Sequence, residues 1–169
     1  MIQSAEHSSL ADHSCDLIIV AQAIHWFDFE AFYKEVKRVA KQYCIIAAIG
    51  YGLMEIDHTT DSIINNFYEN IIGDYWDKER KYIDEMYQTI PFPFRKVQSP
   101  SFSMKYEWSL EQLIGYLNTW SAVQHFIKKN DQNPVEIISG NLRKTWKENE
   151  LKTVTYHLFM QVGKVERSM

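Results

Sequence analysis

The fold class follows from the stretch Cys15-Asp16-Leu17-Ile18-Ile19-Val20. This run is apolar without alternation and too short for a helix, so it predicts a strand buried on both faces, as in a parallel sheet. A second such run, Cys44 to Ile49, stops at Gly50-Tyr51-Gly52. A helix is predicted between the two runs, because Asp28 can cap it and apolar residues recur at helical spacing from Phe29 to Ala40. Strand, helix and strand make a crossover unit of an α/β protein.

The rest of the chain predicts helices and two further strands. Residues from about 59 to 90 form a helical and aromatic insertion. Apolar and polar residues alternate from Phe102 to Trp108 and again from Thr153 to Val162, which predicts two half-covered strands that pair antiparallel at a sheet edge. Ser109 and Gln112 form a capping box that opens a helix. One domain over residues 1–169 is expected.

Composition excludes several classes of function. The 169 residues are 46% hydrophobic with a net charge of −4, which argues against disorder and against a basic surface for nucleic acid. No apolar run approaches the roughly 20 residues that span a membrane, and no secretory signal is visible, so we expect a cytoplasmic protein. Cys15 and Cys44 each begin an apolar run, and the histidines lack metal-ligand spacing, so no metal site is predicted.

Ligands of open α/β sheets bind beyond the carboxyl ends of the parallel strands. The first strand runs into residues 21–27 and the second into residues 50–52, so these segments should lie side by side. Gln22, His25, Trp26 and Tyr51 are therefore the candidate site residues. His25 is either a general base and polar contact or a histidine that caps a turn, and its residue type leaves both open.

Aromatic residues in the middle of the chain have two interpretations. They recur at helical spacing, which is more typical of a core than of a small-molecule pocket, and we interpret them as core. The residues are Phe67, Tyr68, Trp76, Tyr82 and Tyr87.

Six segments carry a further signal when they are taken in order, namely Ser4-Ala5-Glu6, Leu10 to Leu17, Ala21 to Asp28, Glu35 to Val39, Tyr116 to Val123 and Thr153 to Gly163. They resemble class I S-adenosylmethionine-dependent methyltransferases of the methyltransferase type 11 group, and the closest resemblance is to small-molecule members such as the trans-aconitate type. Together, these segments extend over nearly the whole chain. The resemblance implies an incomplete Rossmann-like sheet of parallel strands with a C-terminal antiparallel edge pair and helices on both faces.

The resemblance also implies a cofactor site for S-adenosylmethionine. Ser4, Ala5 and Glu6 would lie along its adenine edge, where the family commonly has an acidic residue in place of Ser4. Ala21, Gln22 and Ala23 would flank its methionine portion, and Trp26 would contact the methyl acceptor.

The chemistry of the methyl acceptor determines which further residues are candidates to act on it. If a small-molecule carboxylate accepts the methyl group, Tyr51, Trp120 and Arg143 are candidates to orient it. An amine or hydroxyl acceptor would instead need a base, and His25 is the candidate. The sequence leaves both open.

The family's first strand and glycine-rich turn would precede residue 1, so the resemblance implies a chain truncated relative to the family. The leading hypothesis is an enzyme that methylates a small molecule by in-line transfer. The alternative is a non-catalytic module that binds a partner or itself through an exposed sheet edge.

Overall fold

The computed structural model describes residues 2–166, which form two compact units. Within that range the first contains residues 2–52, 79–102 and 157–166, and the second contains Leu53–Lys78 and Ser103–Tyr156. In chain order the strands and helices are β1 (Cys15–Ala21), α1 (Phe29–Val39), β2 (Ala40–Tyr51), α2 (His58–Asn66), α3 (Arg80–Asp84), β3 (Arg95–Lys96), β4 (Phe102–Trp108), α4 (Leu110–Asn118), α5 (Ser121–Asn130), α6 (Val135–Thr145) and β5 (Lys152–Lys164). The single domain predicted over residues 1–169 stays a prediction.

The crossover unit predicted from the apolar runs is present in the first unit. β1 and β2 pair in parallel, with Leu17 opposite Ile45 and Ala21 opposite Ile49. α1 joins them, and the Asp28 carboxylate caps it by accepting a hydrogen bond from the Ala31 amide at 3.0 Å. The mixed α/β class is therefore confirmed.

β5 continues the sheet on the far side of β2. The strand order is β1-β2-β5-β3, and β5 runs antiparallel to both β2 and β3. β5 also pairs with β4, as the two alternating stretches predicted. Residues 152–156 of β5 belong to the second unit and residues 157–164 to the first.

The prediction that β1 is buried on both faces is wrong. Ile18 and Val20 face the core that α1 covers, but Leu17 and Ile19 are 54% and 58% exposed. β1 lies at the end of the strand order, and no element within residues 2–166 buries its second face at these positions. The apolar residues of a strand indicate how much surface it can bury, but they do not indicate which of its two faces another element covers.

The core of the first unit lies between the sheet and its helical cover. α1 contributes Phe32, Tyr33 and Val36, and residues 83–94 add a second set of apolar side chains. The buried members of this cluster are Val20, Ile24, Phe32, Tyr33, Val36, Ala40, Cys44, Ile46, Ala48, Ile83, Tyr87, Ile90, Phe94 and Val165.

Residues 59–90, predicted as one helical and aromatic stretch, are divided between the units, with residues 59–78 in the second and residues 79–90 in the first. α2 continues into a π-helical turn at Phe67–Ile71, and a 3-10 turn follows at Gly73–Tyr75. The capping box of α4 is confirmed, with the Gln112 amide 3.4 Å from the Ser109 hydroxyl and the Ser109 amide 2.8 Å from Oε1 of Gln112. No helix in the described part of the chain is long and apolar enough to span a membrane.

Glu35 joins α1 to the segment that precedes β1. Its buried carboxylate accepts hydrogen bonds from Arg38, at 2.6 and 2.8 Å, and from the amide and hydroxyl of Ser8. The Arg38 guanidinium also reaches Asp12 at 2.6 Å. The hydrogen bonds from Arg38, followed by those from Ser8, lower the pKa of Glu35 to about 2.

We expect Glu35→Gln to lower the free energy of unfolding by about 2 kcal/mol at neutral pH, because it removes hydrogen bonds to a charged group. The Glu35 pKa is lower in the folded chain, so its contribution is fully present above the unfolded value of about 4.3 and is lost as the pH falls through about 2. As the pH is lowered through this window, urea titrations should show a smaller drop in the free energy of unfolding for Glu35→Gln than for the wild type.

Asp12→Asn is the matched control, since it breaks the other ion pair of Arg38. The Asp12 side chain is 66% exposed, so its removal should cost less than about 1 kcal/mol. Equal effects of the two variants would contradict the structural role of Glu35.

Candidate functional site

The carboxyl ends of β1 and β2 are joined by the side chain of Gln22. Its Nε2 donates a hydrogen bond to the Tyr51 carbonyl at 3.0 Å, and its Oε1 accepts one from the Tyr51 amide at 2.9 Å. The Gln22 amide donates to the Ile49 carbonyl at 2.8 Å. The predicted juxtaposition of residues 21–27 with residues 50–52 is thus confirmed. We call these three hydrogen bonds the Gln22 clamp. They use both polar atoms of the Gln22 side chain, and its role toward a cofactor stays a prediction.

A groove in the first unit brings together three of the predicted cofactor residues. Ala5, Ala21 and Ala23 line it, although Ala5 and Ala21 are far apart in the sequence. Its volume of about 320 Å³ lies at the lower end of the range for ligand sites. The remaining lining residues are Ser8, Leu10, Cys15, Ile18, Ile19, Val20, Phe27, Phe32, Glu35, Val36 and Val39.

The lining of the groove is mostly apolar, as the apolar parts of the S-adenosylmethionine implied by the resemblance would require. Alanine side chains and the ring of Phe27 offer a surface for a flat adenine and a methylene chain. The one carboxylate on the described lining, Glu35, is already engaged by Arg38 and Ser8 and offers no free acceptor to a ribose hydroxyl.

Ser4 and Glu6 lie at the surface beside the start of α1. Oε1 of Glu6 accepts a hydrogen bond from the Asp28 amide at 3.2 Å, and the Ser4 hydroxyl donates to Oε2. The bond from Ser4 lowers the pKa of Glu6. Glu6 therefore supplies a carboxylate close to the groove residue Ala5, and its role toward adenine stays a prediction.

His25 lies in the 3-10 turn Ile24–Trp26, directly after β1. Its side chain is only 7% exposed, and its Nδ1 is 3.2 Å from the hydroxyl oxygen of Tyr87. It does not cap the turn, because its hydrogen bond goes to Tyr87. Burial, and then the positive charge of Arg80, lower the pKa of His25, so the ring is neutral at neutral pH.

Tyr87 contacts the candidate residue His25, although its helical spacing favoured the core over the lining of a pocket. Its side chain is fully buried, and its ring packs edge-on against Phe159 with centroids 4.9 Å apart. A Cβ at Gly50 would lie 2.9 Å from Cε2 of Tyr87 and 2.7 Å from Cζ of Phe159, so only glycine leaves room for both rings. No local pattern marks the partnership of Tyr87 with His25, which lies 62 residues away in the sequence.

The four other predicted residues occupy different surroundings. In the first unit, Trp26 is more than half exposed with its ring 5.0 Å from that of His25, and Tyr51 is half-buried at the end of β2. In the second unit, Trp120 is buried against other aromatic rings, which are Phe67, Tyr68, Trp76 and Tyr116. Arg143, on α6, is exposed and lines an open cavity with Glu111. The roles of all four stay predictions.

Metal ligation finds no support among the residues that the structure describes. No group of three histidine, cysteine, aspartate or glutamate side chains there is arranged to hold an ion.

The parallel pair, its crossover helix and a ligand-sized groove beside β1 define an α/β protein of the class that binds ligands outside the carboxyl ends of its strands. Residues 1–48 match the family model described as a methyltransferase domain. A Dictyostelium discoideum protein assigned as a methyltransferase is 34% identical over 172 residues. The match includes 98% of this chain, and the chain spans 65% of that relative's length.

A solved structure gives the same result. It is that of a protein from Anaeromyxobacter dehalogenans assigned as a type II methyltransferase, with 31% identity and a TM-score of 0.90 over 99% of this chain and 72% of that one. The chain belongs to the class I S-adenosylmethionine-dependent methyltransferases.

We expect Gly50→Ala to lower the free energy of unfolding by about 1–3 kcal/mol, because its Cβ would force the rings of Tyr87 and Phe159 apart. Gly52→Ala is the control, since nothing lies within 4 Å of a Cβ at that position, and its effect should stay below about 1 kcal/mol in either direction. Urea unfolding measures both changes. A Gly50→Ala variant as stable as the wild type would contradict the close packing.

Proposed function

We propose that the chain binds S-adenosylmethionine in the groove beside β1 and directs its methyl group to a small-molecule acceptor, a carboxylate in the first instance. One observation carries the proposal: Ala5, Ala21 and Ala23, which the family resemblance assigns to the cofactor, line one groove of ligand size. The groove lies beside β1, whose carboxyl end is where such folds bind ligands.

The residues of the chain would hold the cofactor by shape. Ala5 and Ala23 present small side chains, so a planar group can approach the backbone closely, and Phe27 supplies an aromatic wall. Glu6 stands near this part of the groove with its carboxylate charged. A cofactor held by these residues would supply an electrophilic methyl group, whose bond to sulfur would break as its bond to the acceptor forms.

The acceptor chemistry determines which side chains are needed. A carboxylate is already a nucleophile, so the protein has only to orient it and exclude water. In the first unit, Tyr51 is the hydroxyl group proposed to orient it, and Trp26 is proposed to contact it. An amine or hydroxyl acceptor would have to lose a proton, and His25 is the candidate base that the sequence offers for that case.

We expect Ala21→Leu to weaken binding of S-adenosylhomocysteine at least about tenfold, because Ala21 lines the groove and a larger side chain would fill part of it. Ala21 is exposed in the free chain, so the substitution should leave the fold intact. Isothermal titration calorimetry with S-adenosylhomocysteine measures the affinity, and circular dichroism checks the fold.

Ala11→Leu is the control, since Ala11 is also exposed and lies outside the groove. Its affinity should match that of the wild type. The proposal fails if the folded wild-type chain binds neither S-adenosylmethionine nor S-adenosylhomocysteine, or if both variants bind equally.

Self-association through β1 is a second candidate function, favoured by the exposure of this strand. Within the described residues β1 pairs with β2 alone, and Leu17 and Ile19 leave more than half of their surface exposed. An edge strand with exposed apolar side chains is a template for pairing with another strand. A second copy of the chain supplies a strand of the same character.

In this case the wild-type chain should sediment as a dimer, and Ile19→Lys should shift it to a monomer, because a charge at an edge strand opposes pairing. Ile137→Lys is the matched control, since Ile137 is 58% exposed like Ile19 but lies on α6 in the second unit. Analytical ultracentrifugation distinguishes the species. A wild-type monomer at the highest soluble concentration would exclude this function.

A further inference from the structure

The hydrogen bond between Tyr87 and His25 has two forms with different chemical consequences. Either the Tyr87 hydroxyl donates to Nδ1 of His25, or a protonated Nδ1 donates to the Tyr87 oxygen, and the 3.2 Å separation fits both. In the first form the proton of the neutral ring is on Nε2. In the second form Nε2 is unprotonated and can act as a base.

The surroundings of Tyr87 select the first form. Its side chain is fully buried, so water does not reach the hydroxyl, and Nδ1 of His25 is its hydrogen-bond partner in the described part of the chain. If the hydroxyl accepted a bond from Nδ1, its own hydrogen would be buried without an acceptor, which costs the full desolvation of that group. Burial raises the pKa of Tyr87, so the hydroxyl keeps this hydrogen.

The other ring nitrogen of His25 supports the same assignment. Nε2 has no hydrogen-bond partner among residues 2–166, yet it is not one of the buried atoms left unpaired there. It therefore reaches solvent, where an Nε2 proton can bond to water. Both donors, the Tyr87 hydroxyl and the imidazole N–H, are satisfied only when the proton is on Nε2.

The backbone holds Tyr87 in place for this contact. Met86 and Tyr87 both have left-handed conformations, with φ of 50° and 60°, which non-glycine residues rarely adopt in succession. The side-chain amide of Gln161, from β5, donates to the Tyr87 carbonyl, and Gly50 leaves the space that the ring occupies. Residues from two strands thus fix a strained segment that directs the hydroxyl at His25.

We propose that Tyr87 is a positioning residue that holds His25 as the neutral Nε2–H tautomer. His25 then presents a hydrogen-bond donor to the solvent side of the site and is not poised as a general base. In the methyl transfer proposed above, on which this consequence rests, His25 orients an anionic oxygen of the acceptor.

Nitrogen-detected NMR of the histidine rings tests the proposal on the whole chain without any ligand. Long-range ¹H–¹⁵N correlations distinguish the two neutral tautomers, and a His25→Gln variant assigns the signals of His25. Above its pKa, wild-type His25 should favour Nε2–H over Nδ1–H at least about tenfold. In Tyr87→Phe, which keeps the ring and loses the hydroxyl, this preference should fall several-fold, towards that of a solvent-exposed histidine ring.

Tyr82→Phe is the control, because Tyr82 lies five residues away, packs against Phe29 and leaves the His25 bond untouched. It should retain the wild-type tautomer ratio. The proposal is overturned if the proton of wild-type His25 is on Nδ1, or if Tyr87→Phe leaves the ratio unchanged.

The wild-type spectrum decides the tautomer even if Tyr87→Phe does not fold. Cofactor binding is measured separately by calorimetry, so the two proposals can fail independently. An Nε2–H ring in a chain that binds no S-adenosylhomocysteine would leave the role of Tyr87 standing and refute the proposed reaction. Cofactor binding by a chain whose His25 carries its proton on Nδ1 would refute the role of Tyr87 and leave the proposed reaction standing.

Discussion

The parallel pairing of β1 with β2, closed at its carboxyl end by Gln22, is the constraint on which the candidate site depends. Parallel strands end at the same edge of a sheet, so this pairing alone brings residues 21–27 beside residues 50–52. Gln22 adopts a left-handed conformation, which costs about 1 kcal/mol, and its backbone and side chain make three hydrogen bonds to β2 and its end. The clamp ends β1 and turns the chain into the short helix that contains His25.

A second constraint acts on the His25 ring through its hydrogen bond with Tyr87. Gly50 lies one residue before the end of β2, and its missing side chain leaves the space that Tyr87 and Phe159 fill. β5 adds Gln161, which holds the Tyr87 backbone in its unusual conformation. The position of His25 is therefore set by β1 through the turn and by β2 and β5 through Tyr87. A side chain fixed in this way loses little entropy when it binds a ligand.

Local signals in the sequence were sufficient to predict several elements closely. α1 begins after Asp28 and β4 spans Phe102–Trp108, both as expected, because a cap and a period of two are properties of neighbouring residues. The Ser109 capping box is confirmed for the same reason. The strand-end rule also predicted which segments meet, since it depends on chain direction rather than on side-chain detail.

The features that were missed depend on contacts between distant parts of the chain. The six apolar residues in β1 do not indicate which face a helix covers, so the exposure of Leu17 and Ile19 was not predicted. Tyr87 has the same helical spacing as core residues, and its bond to His25 joins residues far apart in the sequence. The Gln22 clamp replaces a backbone pairing with a side-chain amide, which no periodicity reveals.

The environment of His25 favours a role that does not require it to become charged. Burial and the Arg80 charge both disfavour the imidazolium, and Glu79 opposes them more weakly. A general base must pass through that cation as it takes the proton, so the same groups would raise the cost of base catalysis. A hydrogen-bond donor stays neutral throughout and incurs no such cost. An acceptor that is already anionic, such as a carboxylate, makes the smaller demand on this ring, because its methylation needs no proton to be removed.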